Sequence, residues 1–171
     1  MHEIVELDNA GVERHTADLA RLLLDAHDAN MALGMTAPLT AERAAAAWLD
    51  LGAALAPGER ILLVALEDGR VLGSVHLARA AVGNGRHRAE VQRLAVRADA
   101  RGRGLGSELL AAGCERARGL GLTLLWLTTH AGTDSDRFYA ARGWERAGVI
   151  PAYAQLPDGS LAANAFFYKT L

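Results

Sequence analysis

Arg101-Gly102-Arg103-Gly104-Leu105-Gly106 is the stretch whose reading decides the fold. It follows Val91-Gln92-Arg93-Leu94-Ala95-Val96, where apolar and polar residues alternate as in a strand. It precedes Leu105, Leu109, Ala112, Arg116 and Leu120, which fall near one face of a helix over about 104–119. A glycine-rich, doubly basic turn thus joins a strand to a helix start. Such a turn aims free backbone N–H groups and the positive end of a helix at one spot, which suits a phosphate or pyrophosphate. The glycines remove the Cβ atoms that would hold an anion away. The two arginines can pair with phosphate oxygens in a fork.

Other phosphate-binding loops fit less well. A P-loop needs Gly-Lys-Ser/Thr, and the only lysine of the chain is Lys169. A dinucleotide fingerprint would place its third glycine at 107, where Ser107 stands. It would also need an acidic residue closing the next strand, where Thr123 and Leu124 stand.

Working outward, 171 residues with 51% apolar content predict one domain over 1–171 with a substantial core. No apolar run approaches the roughly 20 residues of a membrane span, so no membrane partner is expected. Met1-His2-Glu3-Ile4-Val5-Glu6 has no basic region leading into an apolar core, so a cytoplasmic location is expected. A net charge of −2 leaves no footprint for nucleic acid. The lone Cys114 excludes an intramolecular disulfide and a cysteine zinc cluster. Its spacing from Leu110 and Ala117 predicts a small buried side chain rather than a nucleophile. His87 and Glu90 fall on opposite sides of a strand, and His76 and His130 read as hydrogen-bonded or surface groups. No metal is predicted.

The element pattern is a mixed sheet. Residues 3–8 read as a strand, 13–29 as a helix, and 41–55 as a helix capped by Thr40. Strands over 60–67, 71–80 and 87–96 form a meander, with Asp68-Gly69 as its hairpin turn. The strand 122–129 follows the loop helix, with Leu124, Leu125, Trp126 and Leu127 buried on both sides, so it pairs in parallel. A helix over 134–142, with Asp134 as its cap, ends at Gly143. Strands over 144–150 and 161–170 flank Pro157-Asp158-Gly159. The predicted fold is α/β, with helices on both faces of a mostly antiparallel sheet in the order β-α-α-β-β-β-α-β-α-β-β.

These residues resemble the GCN5-related N-acetyltransferase (GNAT) superfamily. Arg101 to Gly106 fits that family's Q/R-x-x-G-x-G/A signature, and Gln92 to Val96 is the strand before it. Phe138-Tyr139-Ala140-Ala141-Arg142-Gly143-Trp144 matches its F-Y-x-x-x-G-F/W/Y element. Ile150 to Lys169 is similar to the branch that includes the tabtoxin resistance protein.

The resemblance implies transfer of an acetyl group from acetyl-CoA to an amine. It implies that the amides of Arg101, Gly102, Arg103, Gly104, Leu105 and Gly106, with Ser107, hold the pyrophosphate. It also implies that the backbone of Leu94, Ala95 and Val96 holds the pantetheine arm as an added strand would. An amide near Leu94 or Ala95 would face the acetyl oxygen. Glu90 is the candidate base, grouped by strand alternation with Gln92, Leu94 and Val96 unless a bulge shifts the phase. A solvated glutamate at a strand start reads equally well, and the sequence leaves both open. Tyr139 matches the family's general acid, with Phe138 turned inward beside it. Many members carry an asparagine where this chain has Gly132. The acceptor side is expected to involve Asp28, Asn30, Met31 and Met35, with Tyr153 opposite. Asp25 joins Asp28 and Glu90 as possible attraction for a cationic amine, or as part of an exposed acidic helix face. The expected partner is a small-molecule amine, and the chain a monomer or homodimer. A non-catalytic acyl-CoA sensor, or transfer to a protein N-terminus or lysine, are the alternatives.

Overall fold

The structure, a computed structural model, describes residues 1–31 and 33–171. One seven-stranded sheet runs through the described residues in the order β1-β2-β3-β4-β5-β7-β6. The strands are β1 Glu3–Leu7, β2 Arg60–Glu67, β3 Arg70–Arg79, β4 Arg88–Val96, β5 Leu124–His130, β6 Glu145–Gln155 and β7 Leu161–Thr170. The helices are α1 Asn9–Arg14, α2 Thr16–Asp28, α3 Ala41–Ala53, α4 Leu105–Gly119 and α5 Asp134–Ala140. Neighbouring strands are antiparallel except β4 and β5, which run parallel across α4.

Strand β2 shows why the sheet is covered twice. Ile61, Leu63 and Ala65 face a core built with Leu105, Leu109 and Leu110 of α4. Leu62 and Val64 face a second core with Leu19 and Leu23 of α2 and Trp48 of α3. A continuous apolar run is what a strand buried on both faces requires. Asp68 (φ 50°) and Gly69 (φ 77°) both adopt the left-handed region, closing the β2–β3 hairpin. Thr40 caps α3 as expected, its hydroxyl accepting the Arg43 N–H at 3.3 Å.

Four local readings are corrected. The helix expected over 13–29 is two helices. Asp8 caps α1 by accepting the Gly11 N–H at 2.8 Å. The break falls at His15, where the Thr16 hydroxyl donates back to Val12 and Glu13 carbonyls at 2.8 and 2.9 Å. In β5 only Leu125 and Leu127 are buried, while Leu124 and Trp126 are half-buried. The cap of α5 is Thr133, which accepts the Asp136 N–H at 3.4 Å, and Asp134 lies inside the helix, which ends at Ala140. Strand β6 is longer than 144–150 and continues through Pro151 to Gln155. It can do so because it is an edge strand, where a missing N–H disrupts no ladder on its outer side. Cys114 is buried among the α4 core residues, and burial pushes its thiol pKa up. Among the described residues no helix is long and apolar enough to cross a membrane.

Candidate active site

Strands β4 and β5 pair only from Arg88↔Leu124 to Glu90↔Trp126. Beyond Glu90 they part, and the free edge of β4 faces a fork. The β3–β4 register passes from Ser74↔Ala95 to His76↔Gln92, so two residues of β4, Arg93 and Leu94, oppose Val75 alone. This is a β-bulge, with Arg93 at φ 49° and its carbonyl accepting the Ser74 hydroxyl at 2.9 Å. The bulge reverses the phase of the strand. Leu94 and Val96 pack toward the α4 core, while Ala95 packs toward the core of α2 and α3. Ala89 and Val91 take the α4 side before the bulge. Glu90 and Gln92 therefore do not share a face with Leu94 and Val96, which corrects the simple alternation.

Two adjoining cavities occupy the fork. One, of about 370 Å³, is lined by Glu90, Gln92, Arg93, Thr128, His130 and Asn164 among others. The other, of about 360 Å³, is more apolar and runs along Leu94, Ala95 and Val96 to Phe138, Arg101 and Gly106. Met31, Leu33, Leu94, Ser135 and Tyr139 border both.

Glu90 is half-buried in the polar cavity, and burial raises its pKa, with the Gln92 hydrogen bond opposing that rise. Gln92 Nε2 donates to Glu90 Oε2 at 2.7 Å, and Gln92 Oε1 meets His76 Nδ1 at 3.0 Å. An amide has one donor end and one acceptor end. The carboxylate takes the donor end, so the oxygen faces His76 and Nδ1 carries the proton. His76 is fully buried, and its Nε2 has no partner. Burial, with smaller opposition from the Gln92 bond, lowers its pKa to about 4. His76 is therefore neutral at pH 7 and fixes the orientation of Gln92 behind Glu90.

That burial has a testable sign. The folded pKa lies below the ordinary histidine value of 6.5, so the unfolded chain binds the extra proton first. The stability that neutral His76 contributes is whole above about pH 6.5 and falls as pH drops toward 4. Urea titrations across this range are expected to lose on the order of 3 kcal/mol in wild type beyond the loss in His76→Gln. Parallel pH curves for the two proteins would contradict a buried neutral His76.

Tyr139 borders both cavities, but the expected division of labour with Phe138 is reversed. Tyr139 is 8% exposed, and its ring packs against Phe138, Trp144 and Phe167 at centroid distances of 5.2, 5.9 and 6.0 Å. Phe138 is the half-buried ring along the apolar cavity. Burial pushes the Tyr139 pKa above the ordinary phenol range, so its hydroxyl stays protonated through neutral pH.

The glycine loop has the conformation its residues suggest. Gly102 (φ 77°) and Gly104 (φ 86°) take the left-handed region; a Cβ at Gly102 would project into open space, and one at Gly104 would lie 3.6 Å from Glu108 Oε1. Gly104 caps the 15-residue α4, whose first intrahelical bond from this end is Ser107 N–H to Gly104 O at 2.9 Å. The N–H groups of Leu105 and Gly106 precede it, as at any helix start. Leu105 contributes only backbone, since its side chain is buried in the α4 core. Arg101 Nε donates to the Val96 carbonyl at 3.3 Å, and Arg103 pairs with Glu67 at 2.7 Å. These residues fit a pyrophosphate, although Arg103 already has an exposed carboxylate partner.

Of the expected acceptor-side residues, only Met31 reaches the polar cavity. Asn30 is held away from it, exchanging hydrogen bonds with Asp158 in the β6–β7 turn at 3.0 and 3.3 Å. Asp28 is exposed, Met35 packs on the α2–α3 core, and Tyr153 lies on the exposed edge strand against Phe166. Asp25 is not on an exposed acidic face. It is buried, pairs with Arg21 at 2.7 Å and accepts the Ala98 N–H at 2.8 Å. It fastens α2 to the end of β4. Gly132 lies in the turn before α5, its N–H bonded to Asp136 at 2.7 Å.

Three contributors escaped the sequence reading. Asn164 is 5% exposed, its Nδ2 donates to Thr128 Oγ1 at 3.3 Å, and its Oδ1 has no partner. An asparagine inside Ala162-Ala163-Asn164-Ala165-Phe166 was the available signal, because a lone polar group in a buried strand needs a reason. The Gln92–His76 pair needed the strand register. Arg142 needed the packing of α5 on α4. Among the described residues no group of three or more His, Cys, Asp or Glu side chains could hold a metal.

A parallel pair that splays beside a glycine-rich helix start is the arrangement that the resemblance to the GNAT superfamily implies. The chain belongs to the acetyltransferase (GNAT) family, whose model matches residues 21–144. It is similar in structure to the ribosomal-protein-alanine N-acetyltransferase of Brucella melitensis, with 25% identity, a TM-score of 0.80 and 99% of each chain covered. A GCN5-related N-acetyltransferase from Kribbella flavida shares the fold at 21% identity and a TM-score of 0.79, covering 99% of this chain and 98% of that one. So does yncA of Salmonella typhimurium, solved with its cofactor acetyl-CoA, at 18% identity, a TM-score of 0.79 and coverage of 100% and 94%.

Proposed function

We propose that residues 1–171 act as one catalytic domain that moves the acetyl group of acetyl-CoA to a small-molecule primary amine by direct attack. The observation that carries this reading is the half-buried Glu90 carboxylate in the polar cavity of the β4–β5 fork, which adjoins the apolar one at Leu94 and Tyr139. Acetyl-CoA supplies an activated thioester. The apolar cavity, with the free edge of β4 from Leu94 to Val96, receives the pantetheine arm, and the loop from Arg101 to Ser107 receives the pyrophosphate. A cavity of about 370 Å³ suits a small acceptor.

Glu90 takes the proton from the acceptor ammonium, directly or through one water. The amine nitrogen forms the new C–N bond as the C–S bond breaks. A backbone N–H near Leu94 or Ala95 stabilises the charge that gathers on the carbonyl oxygen. Tyr139 donates its phenolic proton to the departing sulfur, giving the free thiol, and the second proton that the nitrogen loses as the amide forms restores the phenol. Asn164, with its unpaired amide oxygen, orients the acceptor by a hydrogen bond. Detoxification of an amino-acid-like amine is the biological role this reading favours.

A thiol-release assay with acetyl-CoA and a panel of small amines, aminoglycosides and N-terminal peptides tests it. Turnover with a small amine and not with peptides is expected. Turnover confined to peptides would favour the second reading, N-terminal protein acetylation, which the likeness to the Brucella enzyme supports. Cofactor binding with no turnover would mark a sensor. With the active amine, Tyr139→Phe is expected to lower kcat at least tenfold with little change in the acetyl-CoA KM. An unchanged kcat would remove the tyrosine from the proton transfer.

A further inference from the structure

We propose that Arg142 is a positioning residue for the cofactor pyrophosphate, acting through Ser107. This rests on the acetyl-CoA reading above. Arg142 follows α5, yet its side chain reaches the first turn of α4. Its Nε and Nη2 both donate to Ser107 Oγ, at 2.9 and 2.6 Å. Its Nη1 donates to the Phe138 carbonyl at 2.8 Å, and its guanidinium lies 3.6 Å from the centroid of the Phe138 ring. No carboxylate pairs with it among the described residues.

The hydrogen-bond inventory gives this arrangement a direction. A serine oxygen has two lone pairs and one proton. Two guanidinium N–H groups occupy the lone pairs, and a guanidinium cannot accept the hydroxyl proton. The Ser107 O–H is therefore left to donate elsewhere. Ser107 is the third residue of α4, directly after the amides of Leu105 and Gly106 at the positive helix end. Both Ser107 and Arg142 are half-buried, so neither is lost in the core. The arrangement holds a hydroxyl donor and an uncompensated positive charge beside the loop that would carry an anion. Phe138 fixes the guanidinium from one face by cation–π contact. The same ring also lines the apolar cavity, so one cluster joins the pyrophosphate and pantetheine sections of the site.

The roles of cradle and clamp are separable with truncated ligands. Calorimetry measures the Kd of CoA and of dephospho-CoA, both of which carry the pyrophosphate. kcat/KM is measured with acetyl-pantetheine, which lacks it. Arg142→Ala and Ser107→Ala are each expected to weaken both nucleotide ligands about tenfold. Arg142→Ala should not change kcat/KM for acetyl-pantetheine by more than about twofold. Arg142→Lys keeps the charge but not the two-pronged grip on Ser107, and should recover only part of the loss. The double variant should lose little more than either single one, because the two residues act as a unit. If Arg142→Ala binds CoA as wild type does, or weakens acetyl-pantetheine equally, the positioning role is overturned while the acetyl-CoA reading stands. If wild type binds neither CoA nor dephospho-CoA, both fall together.

Discussion

Glu90→Gln is expected to lower kcat by about 10²–10⁴-fold while leaving the acetyl-CoA KM within about twofold. The change is nearly isosteric and keeps a hydrogen-bonding group beside Gln92, so folding should be unaffected. What it removes is the basic oxygen. A base acts only when ionised, and burial has raised the Glu90 pKa from its ordinary value. Wild-type kcat should accordingly fall on the acid side as pH drops through that raised value, and the variant should lose this limb. The His76–Gln92 support adds a second sign. A variant that frees Gln92, such as His76→Ala, should lower kcat with little effect on cofactor affinity. An unchanged kcat in Glu90→Gln would return this residue to the alternative left open by the sequence, a solvated carboxylate near a strand start.

Phe167→Ala should carry the largest stability effect, lowering the unfolding free energy by about 3–5 kcal/mol. Phe167 is 1% exposed and lies in β7 beneath the rings of Tyr139 and, beyond it, Trp144. Removing its ring takes away buried apolar area and leaves a cavity that neighbouring aromatics can fill only in part. In a chain of this size the melting temperature should fall on the order of 10 °C. The effect should also reach function, because the Tyr139 ring loses a neighbour that holds it against both cavities. Differential scanning calorimetry checks the first part and kcat below the transition the second. A fall of under about 1 kcal/mol would mean that Phe167 is not packed as described.

The regular parts of this fold are legible because they rest on local rules. Both ends of the strand Arg60–Glu67 and the turn at Asp68-Gly69 follow from apolar patterning and turn chemistry alone. The glycine loop identifies itself by residue type, since Gly102 and Gly104 need left-handed backbone and Arg101 and Arg103 flank them. The family resemblance placed Glu90 and Tyr139, and the fork brings both to the same cavity. What escaped depends on register and packing. The bulge at Arg93 leaves no local mark, because arginine rarely adopts positive φ, yet it decides which face Glu90 and Gln92 take. The acceptor side fared worst. Asn30 and Asp28 came from the resemblance, which puts the segment between the first two helices on the acceptor side, but the first is spent on a turn 128 residues away and the second is exposed. Asn164 reaches the cavity only because β7 pairs with β5 at His130. Asp25 was misjudged because its partner, the Ala98 N–H, comes from the turn just after β4.

A crystal structure of the protein with acetyl-CoA tests the central claim most directly. The pantetheine arm is expected between β4 and β5, bonded to the backbone of Leu94 to Val96. The pyrophosphate is expected over Arg101 to Ser107, with the acetyl group opening toward the cavity that holds Glu90. A cofactor bound outside the β4–β5 fork, or with its acetyl group turned away from Glu90, would contradict the account.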